Sequence, residues 1–216
     1  MKNIPQGYLP NGNAVSTEVH QLISYATTQY DAQRRAYRSA TYSVDPTTGQ
    51  YNPNDAIVSN VWFDRRGNVV KSHTSGGSVS KTSYDGANRV VASYLTDSGG
   101  DAAPGASGNW ADAQNVIGDI VLEQAEYTYD ANSNVILVTV RQRFHDASGT
   151  GVLGDPSSTT QPKARVSYSL SYYDIGGRLI ANVELGTNGG VTTNANGGLD
   201  LATNSNGIPT PSAGDT

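Results

Sequence analysis

Five aspartates in this chain each follow an aromatic residue: Tyr30-Asp31, Phe63-Asp64, Tyr84-Asp85, Tyr129-Asp130 and Tyr173-Asp174. A little further on stands an arginine or asparagine every time: Arg35, Asn68, Arg89, Asn134 and Arg178. A carboxylate beside a guanidinium can do acid–base chemistry, and carboxylates drawn together can hold a cation. Either use requires the groups to converge on one place. The local alternative is that each aspartate fastens a turn.

The residues around each aspartate favour the turn. Asp opening a type I turn accepts hydrogen bonds from backbone N–H groups two and three residues on. The residue before the Arg or Asn then needs a positive φ to restore hairpin twist. Gly67 and Gly177 meet that need without strain and Asn88 tolerates it. Arg34 and Ser133 suit it less well, so the first and fourth hairpins are expected to use another loop. The Arg or Asn that follows can pair with its Asp or cover a neighbouring Tyr ring, and an exposed pair of that kind contributes about 0–1 kcal/mol.

The flanking segments read as strands. Val166, Tyr168, Leu170 and Tyr172 alternate with Ser167, Ser169 and Ser171, a period of two. VILVTV at 135–140 is nearly continuous and predicts a strand covered on both faces. The long gaps between repeats hold polar inserts at 43–55, 96–112 and 146–163, rich in Gly, Pro, Ser and Thr, which read as loops. The 19 Val against 11 Leu, together with 13 Tyr, lean the same way. The expected fold is all-β: successive antiparallel β-hairpins forming an open, twisted or spiralling sheet with long polar loops.

The lines YDIGGRLI, YDGANRVV and FDRRGNVV, with YDAQRRAY and YDANSNVI in the same frame, resemble the RHS or YD repeat. The resemblance spans about residues 22–185, leaving 1–21 as an N-terminal extension and 186–216 as a Gly/Asn/Thr/Ser-rich tail or linker. It implies a sheet of hairpins wound into a spiral. Large members, among them bacterial RHS shell proteins, toxin-complex subunits and teneurins, use that spiral as a hollow shell. Five units resemble a piece of such a shell. Members that release a cargo carry an autoproteolytic Asp-Pro-x-Gly segment. Asp45-Pro46 and Asp155-Pro156 lack the glycine at the matching place, which argues against self-cleavage.

Other chemical signals are thin. GTGVLG at 149–154 matches a dinucleotide-binding pattern, but Pro156 and Pro162 oppose the helix that would receive the phosphates. DANSN at 130–134 opens like a calcium loop, yet Val135 and Arg141 stand where Gly and Glu are needed. DSGGD at 97–101 and the 146–155 stretch could gather oxygens for a weak metal site, although solvated loops look the same. His20, His73 and His145 share no ligand spacing, and Glu123 and Glu126 fall on opposite faces of a strand. No catalytic, cofactor-binding or metal-binding residue is therefore expected.

The net charge of −5 and the lack of any basic run longer than Arg34-Arg35 or Arg65-Arg66 argue against nucleic acid. No run approaches the ~20 apolar residues of a membrane helix, and the opening MKNIPQGYLPNGNAV has no apolar signal region. With no Cys, disulfides and thiolate metal sites are excluded. The sequence thus points to a non-catalytic structural segment of a larger bacterial secreted or cell-surface protein. Its partners would be flanking repeats or identical chains meeting its exposed sheet edges. A glycan-binding adhesin using Trp62 and Trp110, or a self-assembling fibre, is the alternative.

Overall fold

The computed structural model describes residues 2–8, 14–19, 22–101 and 112–187. His20, Trp110 and most of the tail reading lie outside the described residues. Two strands, β1 (Lys2–Tyr8) and β2 (Ala14–Val19), pair antiparallel as a sheet of their own within the span read as an extension. Ten more follow: β3 (Tyr25–Tyr30), β4 (Ala36–Val44), β5 (Tyr51–Phe63), β6 (Val69–Thr74), β7 (Val79–Tyr84), β8 (Val90–Thr96), β9 (Val121–Tyr129), β10 (Val135–Arg143), β11 (Ala164–Tyr173) and β12 (Leu179–Gly186). Their hydrogen-bonding order is the chain order, from β3 to β12. The helical content of the described residues is one short 3-10 turn, Asp112–Gln114. The all-β, open, hairpin-built sheet is what the structure shows.

The uneven repeat spacing now has a cause. Tyr-Asp turns close every second connection, β3–β4, β5–β6, β7–β8, β9–β10 and β11–β12, and the inserts sit in the connections between. Among the described residues, the long gaps hold no further Tyr-Asp turn.

The chain divides into two compact units, Met1–Val61 with His73–Gly77, and Trp62–Ser72 with Ser78–Thr216. In the first, β3, β4 and β5 form a meander with Thr27 opposite Ala40 and Ala40 opposite Val58. Ala40 is buried, while Tyr25, Tyr42 and Tyr51 gather with ring centroids 4.4–5.6 Å apart. The 43–55 segment, read as a loop, is mostly strand. Only 45–50 turns, because Asp45 Oδ1 takes the N–H groups of Thr47 and Thr48 and Gly49 closes with φ 70°. Pro53 sits in the irregular stretch between the pairs Tyr42–Ala56 and Val44–Tyr51, where a missing N–H is tolerated.

In the second unit the other two inserts fold inward. Leu153 from the 146–163 insert and Val116 from the β8–β9 connection just past the 96–112 insert pack with Val121 and Ala164 in a buried cluster that Tyr94 flanks. Burying each such aliphatic side chain is worth about 1.5–3 kcal/mol, which explains why these polar loops are held down. Gly151 N–H donates to the Asp119 carbonyl at 2.8 Å, joining the 146–163 insert to the β8–β9 connection. β10 is less enclosed than its apolar run suggests: Thr139 is buried and the rest of VILVTV only half-buried. A meander places alternate connections at the same end of its sheet. The turns at Asp64, Asp85, Asp130 and Asp174 therefore share one end of this unit, and its inserts share the other.

Candidate functional site

Each Tyr-Asp turn has one geometry. Asp31 Oδ1 accepts the N–H groups of Gln33 and Arg35 at 2.8 and 2.9 Å, and its Oδ2 accepts Arg35 Nε–H at 2.7 Å. Asp174 repeats this with Gly176, Arg178 and Arg178 Nε at 2.9, 2.9 and 2.7 Å. Asp85 does so with Ala87, Arg89 and Arg89 Nε. Asp64 and Asp130 use Asn68 and Asn134, whose Nδ2 groups donate at 2.9 Å. This explains why Arg and Asn interchange: either one offers the second carboxylate oxygen an N–H. The side chain reaches residues two and four on, not two and three, because the third N–H binds the Asp carbonyl instead.

The first and fourth turns do not use another loop. Arg34 and Ser133 adopt φ 63° and 69°, alongside Asn88 at 65°, Gly67 at 94° and Gly177 at 74°. The hydrogen bonds around the Asp determine the backbone, and these two side chains accept the strain.

These carboxylates are occupied by their own turns. The backbone N–H of Arg35, reinforced by its guanidinium, holds Asp31 below the ordinary aspartate range. The same causes lower Asp85 and Asp174. Asn134 lowers Asp130, and in Asp64 the Asn68 and backbone bonds outweigh an upward push from burial. Among the described residues, no group of three or more His, Asp or Glu is placed to hold a metal.

Successive turns of the second unit are linked to one another. The Tyr84 hydroxyl donates to the Val69 carbonyl at 3.1 Å, Tyr129 to Val90 at 2.7 Å and Tyr173 to Val135 at 3.1 Å. Each acceptor is the residue just after the Arg or Asn of the preceding turn. Arg66 donates to the Asp85 and Gly86 carbonyls and to Asn88, and Arg89 donates to Ser133 Oγ. The Arg89 guanidinium also lies 4.5 Å from the Tyr129 ring centre. Tyr84, Tyr129 and Tyr173 are thus rungs of a ladder running from turn to turn, a role invisible in any single repeat.

Near the inserts lies a second polar cluster that the sequence reading missed. Lys81, 2% exposed, places Nζ 2.6 Å from Asp101 Oδ1 and 2.7 Å from Oδ2 of Asp119, itself 0% exposed. Its ammonium also donates to the carbonyls of Asp112 and Asn115 at 2.9 and 2.8 Å. The Asp119 approach is an ion pair off the hydrogen-bond direction, while Asp119 Oδ1 accepts Gly100 N–H at 3.0 Å. Asp101 Oδ2 takes Lys71 Nζ and Ser98 Oγ, and Lys71 Nζ sits 4.6 Å from the Trp62 ring centre. Burial pushes Asp101 up, but hydrogen bonds from Lys71, Lys81 and Ser98 hold it below the ordinary value. Two cations face two anions, which makes burial tolerable. DSGGD is therefore more than a solvated loop: Asp97, Gly99 and Gly100 are exposed, but Asp101 anchors the insert to β6 and β7. The signal was in the alternation, since Lys81 shares a strand face with buried Val79.

The remaining motifs are turns and pairs. In GTGVLG, Gly149 and Gly151 adopt φ 88° and 92° in a loop, and no helix follows. DANSN is the fourth turn itself. Glu126 pairs with Arg141 at 3.3 Å, and Glu123 is exposed. His145 is exposed in a loop, and His73 is half-buried in β6.

No family model matches the sequence, and no curated protein matches it. Solved structures that resemble it include a TcdB2-TccC3-Cdc42 crystal structure, 14% identical with a TM-score of 0.34 over 82% of this chain and 8% of that one. TcdB2-TccC3 without its hypervariable C-terminal region is 14% identical, with a TM-score of 0.30 over 77% of this chain and 12% of that one. A Photorhabdus luminescens Tc holotoxin pore carrying a TccC3 mutation is 13% identical, with a TM-score of 0.29 over 82% and 12%. The chain spans only a small part of the length of each.

Proposed function

We propose that this chain is a non-catalytic structural segment of a larger bacterial secreted or cell-surface protein, built from hairpins that resemble RHS or YD repeats. Its work is to wall, space or present. One observation carries the reading: each repeated carboxylate is spent on its own turn, and each repeated tyrosine of the second unit on the turn before it. Residues so fully committed to holding strands together have a structural task. An immunoblot of fractions from the producing bacterium, with antibody raised to this chain, tests it. The expected band lies at the surface or in the medium and is heavier than 22.7 kDa. A cytosolic band of that mass would overturn the proposal.

The three gathered tyrosines favour a second reading. Tyr25, Tyr42 and Tyr51 remain half-buried or exposed, and aromatic faces of this kind stack against sugars. A glycan array on the full chain separates the readings: hits that Tyr42→Ala abolishes would make it an adhesin module.

A further inference from the structure

The ladder of the second unit stops with one half of a rung in place. Val69, Val90 and Val135 each offer a carbonyl to the tyrosine of the next Tyr-Asp hairpin. The equivalent position after the fifth turn is Leu179, on β12, the last strand in the sheet order. Leu179 and Ile180 are 58% and 60% exposed. The Arg178 side chain is 85% exposed, against 31% for Arg89, which lies over Tyr129. At the start of the order, on β3, Tyr30 is 63% exposed. Among the described strands, the order of the ten-stranded sheet thus runs from a rung donor on β3 to a rung acceptor on β12.

We propose that the β12 edge docks the first hairpin of a second copy of this chain. The Tyr30 hydroxyl of that copy donates to the Leu179 carbonyl, and Arg178 covers its ring as Arg89 covers that of Tyr129. The occupant follows from continuity with a contact already made three times between neighbouring hairpins of this chain. Main-chain pairing along the edge supplies affinity, while Tyr30 and Arg178 supply the register. A contact between unlike ends is heterologous and does not close on itself, so copies add in an open series. This inference rests on the structural reading above, and the two fail separately: a monomer still found heavier and outside the cell would sink only this one.

Sedimentation velocity of the full chain across micromolar concentrations tests it. Wild type is expected to form a concentration-dependent series. Tyr30→Ala and Arg178→Glu should each weaken association roughly tenfold. Arg178→Asn, which keeps the donor to Asp174 found in the second and fourth turns, controls for the fold and should associate less tightly than wild type but more tightly than Arg178→Glu. Mixing the two weakened variants leaves one intact junction and should yield one-to-one dimers. A monomeric wild type, association unchanged by both substitutions, or a mixture without dimers would overturn the proposal.

Discussion

The Tyr129 hydroxyl donates to the Val90 carbonyl across 2.7 Å while the Arg89 guanidinium lies 4.5 Å from the centre of the same ring. One tyrosine thereby joins the fourth turn to both the side chain and the strand that leave the third. Tyr129→Phe keeps the ring contact and removes the hydroxyl, leaving a part-buried carbonyl without that partner. A loss of about 1 kcal/mol is expected by urea denaturation. Tyr129→Ala should lose clearly more, because the ring itself packs. Equal losses for the two would show that the hydroxyl alone matters.

Arg34 stands at φ 63° in a turn whose equivalents at 67 and 177 are glycine. Arg34→Gly relieves left-handed strain but adds freedom to the unfolded chain, and the net gain should be about 0.5–1 kcal/mol. Gly67→Val places a β-branched residue at φ 94° and should lose more than about 1 kcal/mol. Chemical denaturation of both variants against wild type measures the pair. A destabilised Arg34→Gly would mean that the arginine side chain, and not the backbone, supports the first turn.

Lys81→Met removes a cation from between Asp101 and Asp119 and leaves the buried Asp119 without a cation, while Asp101 keeps Lys71. Breaking a buried ion pair from one side costs about 3–5 kcal/mol. The double variant Lys81→Met/Asp119→Leu should recover a large part of that loss, since it removes the orphaned charge as well. Guanidinium denaturation of both singles and the double gives the coupling. Additive losses would show that Lys81 acts through Asp101 and the Asp112 and Asn115 carbonyls, without coupling to Asp119.

The turn aspartates also determine the acid limit. Asp31, Asp85, Asp130 and Asp174 are each held below the ordinary value of 3.8 by hydrogen bonds to their turns. A folded-state value lower than the unfolded one means that the unfolded chain binds more protons, so stability rises with pH. This contribution is complete above the unfolded aspartate range and is lost as pH falls through the lower folded values. Denaturation midpoints should be flat from neutral pH to about 5 and then drop steeply below about 4. Asp174→Asn should make that drop shallower.

Much of the architecture was legible because its causes are local. A Tyr-Asp turn closes within five residues, and its hydrogen bonds are made among those residues. Strand alternation is equally local, so Val166 to Tyr172 announced β11 on their own. The failures at Arg34 and Ser133 have the same root. Propensity at one position was weighed against a turn whose geometry is enforced by its neighbours.

What the residues determined by themselves was the hairpin: an acid that fastens it, a donor that answers the acid, and β-prone runs on either side. Tertiary structure alone decided which carbonyl each ladder tyrosine reaches, how Lys71 and Lys81 meet Asp101 and Asp119, and that Val116 and Leu153 bring two polar-looking connections into a core. Those contacts join segments far apart in sequence. They depend on strand order and register, which no short pattern carries, and on burial, which turns a lone lysine on a strand into the centre of an ion cluster.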